Sequence, residues 1–294
     1  MRYTIENDEL RLTVDSHGAE AVSAVNKRTG AEMLWQADPA VWGRHAPILF
    51  PYTGKLTGGR LEAKGRTYAG GQHGFARDVE HALVRQEADT LVLELRANEE
   101  TLAKWPYAFV LRSTFRLEGK TVHHTLCVEN PAEGELRFGI GYHPAFNVPF
   151  DGAHTITDYE FRFDALESPL CVSARPDGLL NGTDYYLARN TKTIPLTETL
   201  FDNDSHCMVN LRSHTLALVE KDSGRQVCCN IEGYPYVLIW SSANAKPWRF
   251  VCIEPWHSLP GEENGPLAWD QRPCAASLAK GESWSTTLST TFDR

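Results

Sequence analysis

With 294 residues and a formal net charge of −9, the chain is long enough to bury a large core and carries no basic stripe, which argues against nucleic acid and anionic membrane as partners. No apolar run approaches the roughly 20 residues that span a bilayer, and the first residues, Met1-Arg-Tyr-Thr-Ile-Glu-Asn, have no signal-peptide core. Seven cysteines, an odd number without C-x-x-C spacing, read as reduced thiols of a cytoplasmic protein and not as a zinc site.

The chain opens on strand-like segments. Residues 3–6 and 10–14 flank the turn Asn7-Asp8, and residues 19–25 follow. Ala46-Pro-Ile-Leu-Phe-Pro51 is a short apolar run bounded by prolines, which places it at a sheet edge or strand end. Lys64-Gly65 marks a turn. Residues 81–86 and 91–96 form a strand pair. Asn98 caps a single short helix that ends before Pro106.

Residues 109–117 and 121–129 form a hairpin around Glu118-Gly-Lys. In its second arm Val122, His124, Leu126 and Val128 share one face, and His123, Thr125 and Cys127 share the other, which is the period of a strand. His124 thus reads as structural. Strand character returns at 155–163. Residues 164–200 read as irregular, with turns at Pro169, Pro176-Asp-Gly178 and Asn181-Gly182. A hairpin at 215–221 and 225–231 follows, then apolar strands at 236–241 and 250–254, and a last strand at 284–292. Strands recur about every 8–12 residues and helical periodicity is nearly absent, so the expectation is an all-β, antiparallel sandwich or barrel in one domain spanning 1–294.

Three stretches carry unusual chemistry. Phe138-Gly-Ile-Gly-Tyr-His143-Pro sets a group that titrates near neutrality where a strand ends. Its alternative is a core histidine with one hydrogen bond. Glu254 ends an apolar strand beside Trp256, so desolvation should raise its pKa and make it a better base; the alternative is an ion pair with Arg249. Gln72-His-Gly-Phe-Ala-Arg-Asp78 offers His73 and Arg77 as hydrogen-bonding groups for a polyhydroxylated ligand, unless Arg77 and Asp78 simply pair with neighbours on a solvated face. Phe75, Tyr142, Phe146, Trp240 and Trp256 cluster around these stretches, and flat rings suit the C–H faces of sugars.

In this order, Ala46-Pro-Ile-Leu-Phe-Pro51, His73-Gly-Phe-Ala-Arg77, Gly141-Tyr-His-Pro144 and Cys252-Ile-Glu-Pro-Trp256 resemble the aldose 1-epimerase (mutarotase) superfamily, most closely its LacX-like branch. The resemblance implies an antiparallel β-supersandwich and a cofactor-independent isomerase without a metal. It implies that His143 is the general acid, Glu254 the general base and His73 a sugar contact. Lys55 stands where many mutarotases have a sugar-binding arginine, and it lacks the planar fork of that residue. Asp204 matches an aspartate that holds a sugar hydroxyl, with Asp202 competing for the position. Arg77 and Trp256 complete the implied substrate contacts. The expected partner is a small aldohexose, bound by a monomer or homodimer.

Three other functions stay open on sequence. A hexose-6-phosphate 1-epimerase would need a cationic pocket, for which Arg44, Lys55 and Arg77 are available. A non-catalytic sugar-binding protein would use the same contacts. A glycosidase would need a carboxylate pair, and no second acid stands in a comparable motif.

Overall fold

Alternation of apolar and polar residues builds two large antiparallel sheets. The structure, a computed structural model, describes residues 1–175, 177–242 and 246–293. The first sheet has nine strands in the order Thr191–Pro195, Tyr159–Glu167, Thr215–Glu220, Gln226–Asn230, Ser283–Asp293, Thr121–Glu129, Val110–Glu118, Thr90–Arg96 and Ala82–Gln86. The second runs Leu180–Tyr186, Leu170–Ala174, His206–Val209, Tyr236–Trp240, Phe250–Trp256, Gly141–Tyr142 and Ile48–Leu49, and Ala145–Asn147 also pairs with Phe250–Trp256. A three-stranded N-terminal sheet, Arg2–Glu6, Leu10–Asp15 and Glu20–Asn26, packs alongside. One apolar cluster joins these layers, reaching from Ile5 to Phe292. The all-β expectation holds, and among the described residues no helix is long and apolar enough to cross a membrane.

The central hairpin shows why these residues pair. Val122, His124, Leu126 and Val128 are buried while their neighbours are half-buried, as the period of two requires. His124 lies flat on its cross-strand partner Phe115, with ring centroids 3.9 Å apart, and its Nε2 is 2.9 Å from Ser113 Oγ. It is a satisfied core residue. The helix Glu99–Lys104 is set by a reciprocal cap: Asn98 Oδ1 accepts from the Thr101 N–H at 3.0 Å, and Thr101 Oγ1 accepts from the Asn98 N–H at 2.9 Å.

Residues 164–200 depart from expectation. They are largely strand: the end of Tyr159–Glu167, then Leu170–Ala174, Leu180–Tyr186 and Thr191–Pro195. Asn181-Gly182 lies inside a strand and is not a turn. Leu180–Tyr186 is the exposed edge of its sheet, so no face of it had to be apolar, and backbone pairing to Leu170–Ala174 defines it. The expected turn Pro176-Asp-Gly178 begins on a residue outside the described residues. Ile48–Leu49 is an edge strand, as the flanking prolines indicate.

Candidate active site

Phe250–Trp256 is the strand that organises the site. It is buried along its whole length. Tyr236–Trp240 flanks it on one side, with Leu238 opposite Glu254 and Trp240 opposite Cys252. On the other side two short strands pair with it: Gly141 stands opposite Trp256, and Ala145 opposite Cys252. Midway between those pairings stands His143, which brings it level with Glu254. Its backbone N–H donates to Pro47 O at 3.1 Å, on the far side from that strand.

Two glycines make this approach possible. A Cβ on Gly141 would lie 2.6 Å from Cδ1 of the Trp256 indole. Gly74, at φ +72°, passes so close to Phe50 that a Cβ would meet its carbonyl oxygen at 2.1 Å. The first lets Trp256 form a wall of the site. The second presses the His73 segment onto the same sheet edge.

The result is a cleft of about 430 Å³, with His143, Glu254, His73, Asp204, Arg77 and Trp256 among its walls. His143 Nε2 lies 3.2 Å from Glu254 Oε2. His143 is 6% exposed and Glu254 1%. Neither His143 Nδ1 nor Glu254 Oε2 makes a hydrogen bond, so the 3.2 Å contact is a close approach with poor hydrogen-bond geometry. Burial lowers the His143 pKa to about 3, and the Arg77 charge acts the same way. Burial drives the Glu254 carboxyl well above the usual carboxylate range, and the Asp204 charge adds to it. Burial thus opposes a lone charge on either group and favours one proton held between the two.

His73 adopts φ +67°. Its Nδ1 accepts from the Gly54 N–H at 3.0 Å, which assigns the ring proton to Nε2. Burial, then the neighbouring His143 and Arg77, holds its pKa well below 6.5, so it is a neutral donor. Asp204, at φ +76°, accepts from Trp240 Nε1 at 2.8 Å. Burial raises its pKa, opposed by that hydrogen bond and by Lys55. Asp202, its competitor, is exposed and pairs with Lys246. Lys55 does not line the cavity. Its side chain lies against Gly178, and its charge acts on His73 and Asp204.

Of the structural alternatives, the one for Glu254 falls away on contacts and the one for Asp78 holds. Arg249 pairs with Asp38 at 3.2 Å, not with Glu254. Asp78 pairs with neighbours as that alternative has it, Arg44 at 2.5 Å and Arg77 Nε at 3.9 Å, while Arg77 also donates to Gln72 O at 2.7 Å and lines the cleft. Burial brings the Arg77 pKa to about 10. His143, Cys252 and Glu254 place three ligand atoms within 4.8 Å. The Cys252 thiol is driven well above its ordinary pKa by burial, so it is a protonated apolar neighbour of the acid–base pair. Sequence reasoning missed Trp42, which lines the cleft and stacks on His143 with ring centroids 5.0 Å apart. It stands in an irregular loop with no motif to flag it.

The family model described as Aldose 1-epimerase matches residues 1–291. Protein LacX (chromosomal) of Lactococcus lactis subsp. lactis is 31% identical over 267 residues, 88% of each chain. The solved structure of a galactose mutarotase related enzyme from Lactobacillus acidophilus superposes with a TM-score of 0.93 at 30% identity, over 100% of this chain and 98% of its own. A galactose mutarotase-like protein from Lactobacillus casei gives 0.91 at 29% identity, over 99% of both chains.

Proposed function

The chain belongs to the aldose 1-epimerase family, and from that premise we propose that it interconverts the α and β anomers of a free aldohexose by general acid–base ring opening and closure, as one cytoplasmic domain without a cofactor. The observation that carries this is the 3.2 Å approach of His143 Nε2 to Glu254 Oε2 at the wall of a cleft of about 430 Å³. That volume lies in the range of small-ligand sites. The anomeric and ring oxygens of an aldose share one carbon, so an acid and a base side by side can serve both.

Glu254 as carboxylate takes the proton of the anomeric hydroxyl. His143 as imidazolium gives its proton to the ring oxygen. The C1–ring oxygen bond breaks as the C1 carbonyl forms, and no electron leaves the sugar. Rotation about C1–C2 presents the other carbonyl face, and reclosure with the roles reversed restores the pair. The open aldehyde therefore coexists with a protonated Glu254 and a neutral His143. Burial favours that uncharged pair, which offsets part of the cost of ring opening. His73 Nε2–H and the Asp204 carboxylate serve sugar hydroxyls, Arg77 acts from the cleft wall, the Lys55 charge acts from beside Gly178, and Trp256 offers an apolar wall. The seven cysteines are free, as suits a reducing compartment.

A second reading, epimerisation of a phosphorylated aldose, has one observation in its favour: Arg44 and Arg77 line the same cleft. Anomer exchange followed by NMR or polarimetry over a panel of free and phosphorylated aldoses decides between them. Acceleration of a free hexose supports the proposal. Acceleration confined to phosphorylated sugars transfers it to the second reading. Sugar binding without any acceleration refutes both.

A further inference from the structure

Trp42 belongs to none of the motifs and to no regular element. It nevertheless lies with its indole 5.0 Å from the His143 ring, centroid to centroid, at an interplanar angle of 24°. The same indole stacks on Phe250 at 5.4 Å and 20°, and meets Trp240 edge-on at 5.5 Å. The loop that carries it is tied at several points. Trp35 Nε1 donates to Trp42 O at 2.8 Å, and the Trp42 N–H donates to Asp38 O at 2.9 Å. Glu20 Oε1 accepts the backbone N–H groups of His45 at 2.5 Å and Ala46 at 2.9 Å. Arg44 anchors the loop to Asp78. So many ties make the placement of Trp42 a property of the fold.

A catalytic imidazole is commonly oriented by a hydrogen bond at its second nitrogen, from a carboxylate or a carbonyl. His143 has no such partner among the described residues: Nε2 faces Glu254, and Nδ1 is buried without a hydrogen bond. What fixes the ring plane is aromatic. Trp42 covers it face-on, while His73 and Trp240 meet it edge-on, each with centroids 5.5 Å away. A face of indole also attracts a cation, so it holds the imidazolium at least as well as the neutral ring.

We propose that Trp42 is the positioning residue of this site: its stack replaces the missing hydrogen-bonded orienter and keeps His143 Nε2 directed at Glu254 and the sugar. The inference rests on the epimerase reading for its kinetic consequence, but not for the stack itself. The charged and titratable groups around His143 are Glu254, Cys252, His73, Arg77 and Arg44, and none of them is altered by substitution at Trp42.

The test compares the full-length protein with Trp42→Leu and Trp42→Phe. Trp42→Leu should lose roughly 100-fold in kcat with KM within about 3-fold, because a displaced acid affects the transition state more than sugar binding. Trp42→Phe keeps a flat ring and should stay within about 5-fold of wild type in kcat. The pH dependence of kcat should change in Trp42→Leu and be retained in Trp42→Phe. A raised KM with unchanged kcat would make Trp42 a sugar platform and overturn the proposal. So would a folded Trp42→Phe that loses roughly 100-fold in kcat, and this arm decides if Trp42→Leu does not fold. The second readout needs no sugar. The His143 ring protons, assigned by their disappearance in His143→Asn, should carry an upfield ring-current shift that Trp42→Leu removes and Trp42→Phe largely keeps. If the wild type accelerates exchange of no aldose, the epimerase reading has failed, and this NMR arm alone judges the stack: unchanged His143 shifts in Trp42→Leu refute it.

Discussion

Replacing Glu254 by glutamine should abolish most activity and, at neutral pH, stabilise the fold. Glu254 is 1% exposed, and its Oε2 makes no hydrogen bond. Burial raises its pKa well above 4.5 in the folded chain. A carboxyl raised in this way favours folding fully only below its unfolded pKa. As pH rises past 4.5 towards the folded value, the native state must keep a proton that the unfolded state has released, or bear a buried charge. Glutamine has the same shape and no such term. Glutamine keeps a buried acceptor but loses the proton linkage, which costs up to about 1.4 kcal/mol for each pH unit above the unfolded pKa, so about 1–3 kcal/mol is relieved near neutral pH. For a chain of this size that corresponds to a rise in Tm of roughly 2–6 °C at pH 7–8. The same substitution removes the base, which should lower kcat by about 10²- to 10⁴-fold. Thermal melts at pH 4 and pH 7.5, alongside anomer-exchange rates, test both halves. The stabilisation should be absent at pH 4 and present at pH 7.5. Wild-type exchange by Glu254→Gln would remove the base assignment, and a lower Tm at pH 7.5 would refute the account of a carboxyl held at a cost.

Asp204→Asn should leave the fold intact, because the amide oxygen can still accept from Trp240 Nε1 and asparagine tolerates φ +76°. Loss of the charged acceptor should raise KM for the preferred sugar about 10-fold with kcat little changed; an unchanged KM for every sugar tested would take Asp204 out of the binding site. Acid should destabilise the protein early. His124 and His143 are lowered to about 3, and His81 and His257 to about 4, chiefly by burial. Depressed groups of this kind support folding fully above the ordinary 6.5 and lose that support progressively as pH falls from 6.5 towards their folded values, at up to about 1.4 kcal/mol per pH unit for each histidine. Urea unfolding between pH 7 and pH 5 measures the slope, and a flat profile would contradict the neutral, buried assignments.

Legibility in the sequence followed local determination. The hairpin through His124 declared itself because one face had to be apolar, and the short helix because Asn98 and Thr101 cap each other. Glycine and proline around His143, His73 and Glu254 marked the site because backbones must pass closely there. What stayed hidden depends on tertiary contacts. Leu180–Tyr186 is an exposed edge held by backbone pairing, and its polar sequence imitates a loop. Asp202 and Asp204 differ by two positions, yet one pairs with Lys246 at the surface and the other enters the cleft. Lys55 falls beside the cavity and not on its wall, which only the packing against Gly178 decides. Trp42 meets His143 across a large sequence separation with no pattern to announce it.

The chemistry follows from where the sheet withholds partners. Along Phe250–Trp256 the ladder pairs nearly every backbone group, and Leu238, Trp240 and Gly141 pack or pair beside Glu254 without offering its Oε2 a hydrogen bond. His143 sits at the gap between two short strands that pair with the same partner, and its Nδ1 is also left without a hydrogen bond. Interiors rarely leave such atoms unmatched, since each costs stability. Here the unmatched carboxylate oxygen calls for a hydroxyl donor, and the imidazole facing it can serve an ether oxygen. A cyclic aldose presents both on one carbon. If the proposed function holds, the deficits of the fold are complementary to the reacting atoms of the sugar, and a residue that satisfied them from within the protein would gain stability by removing the reaction.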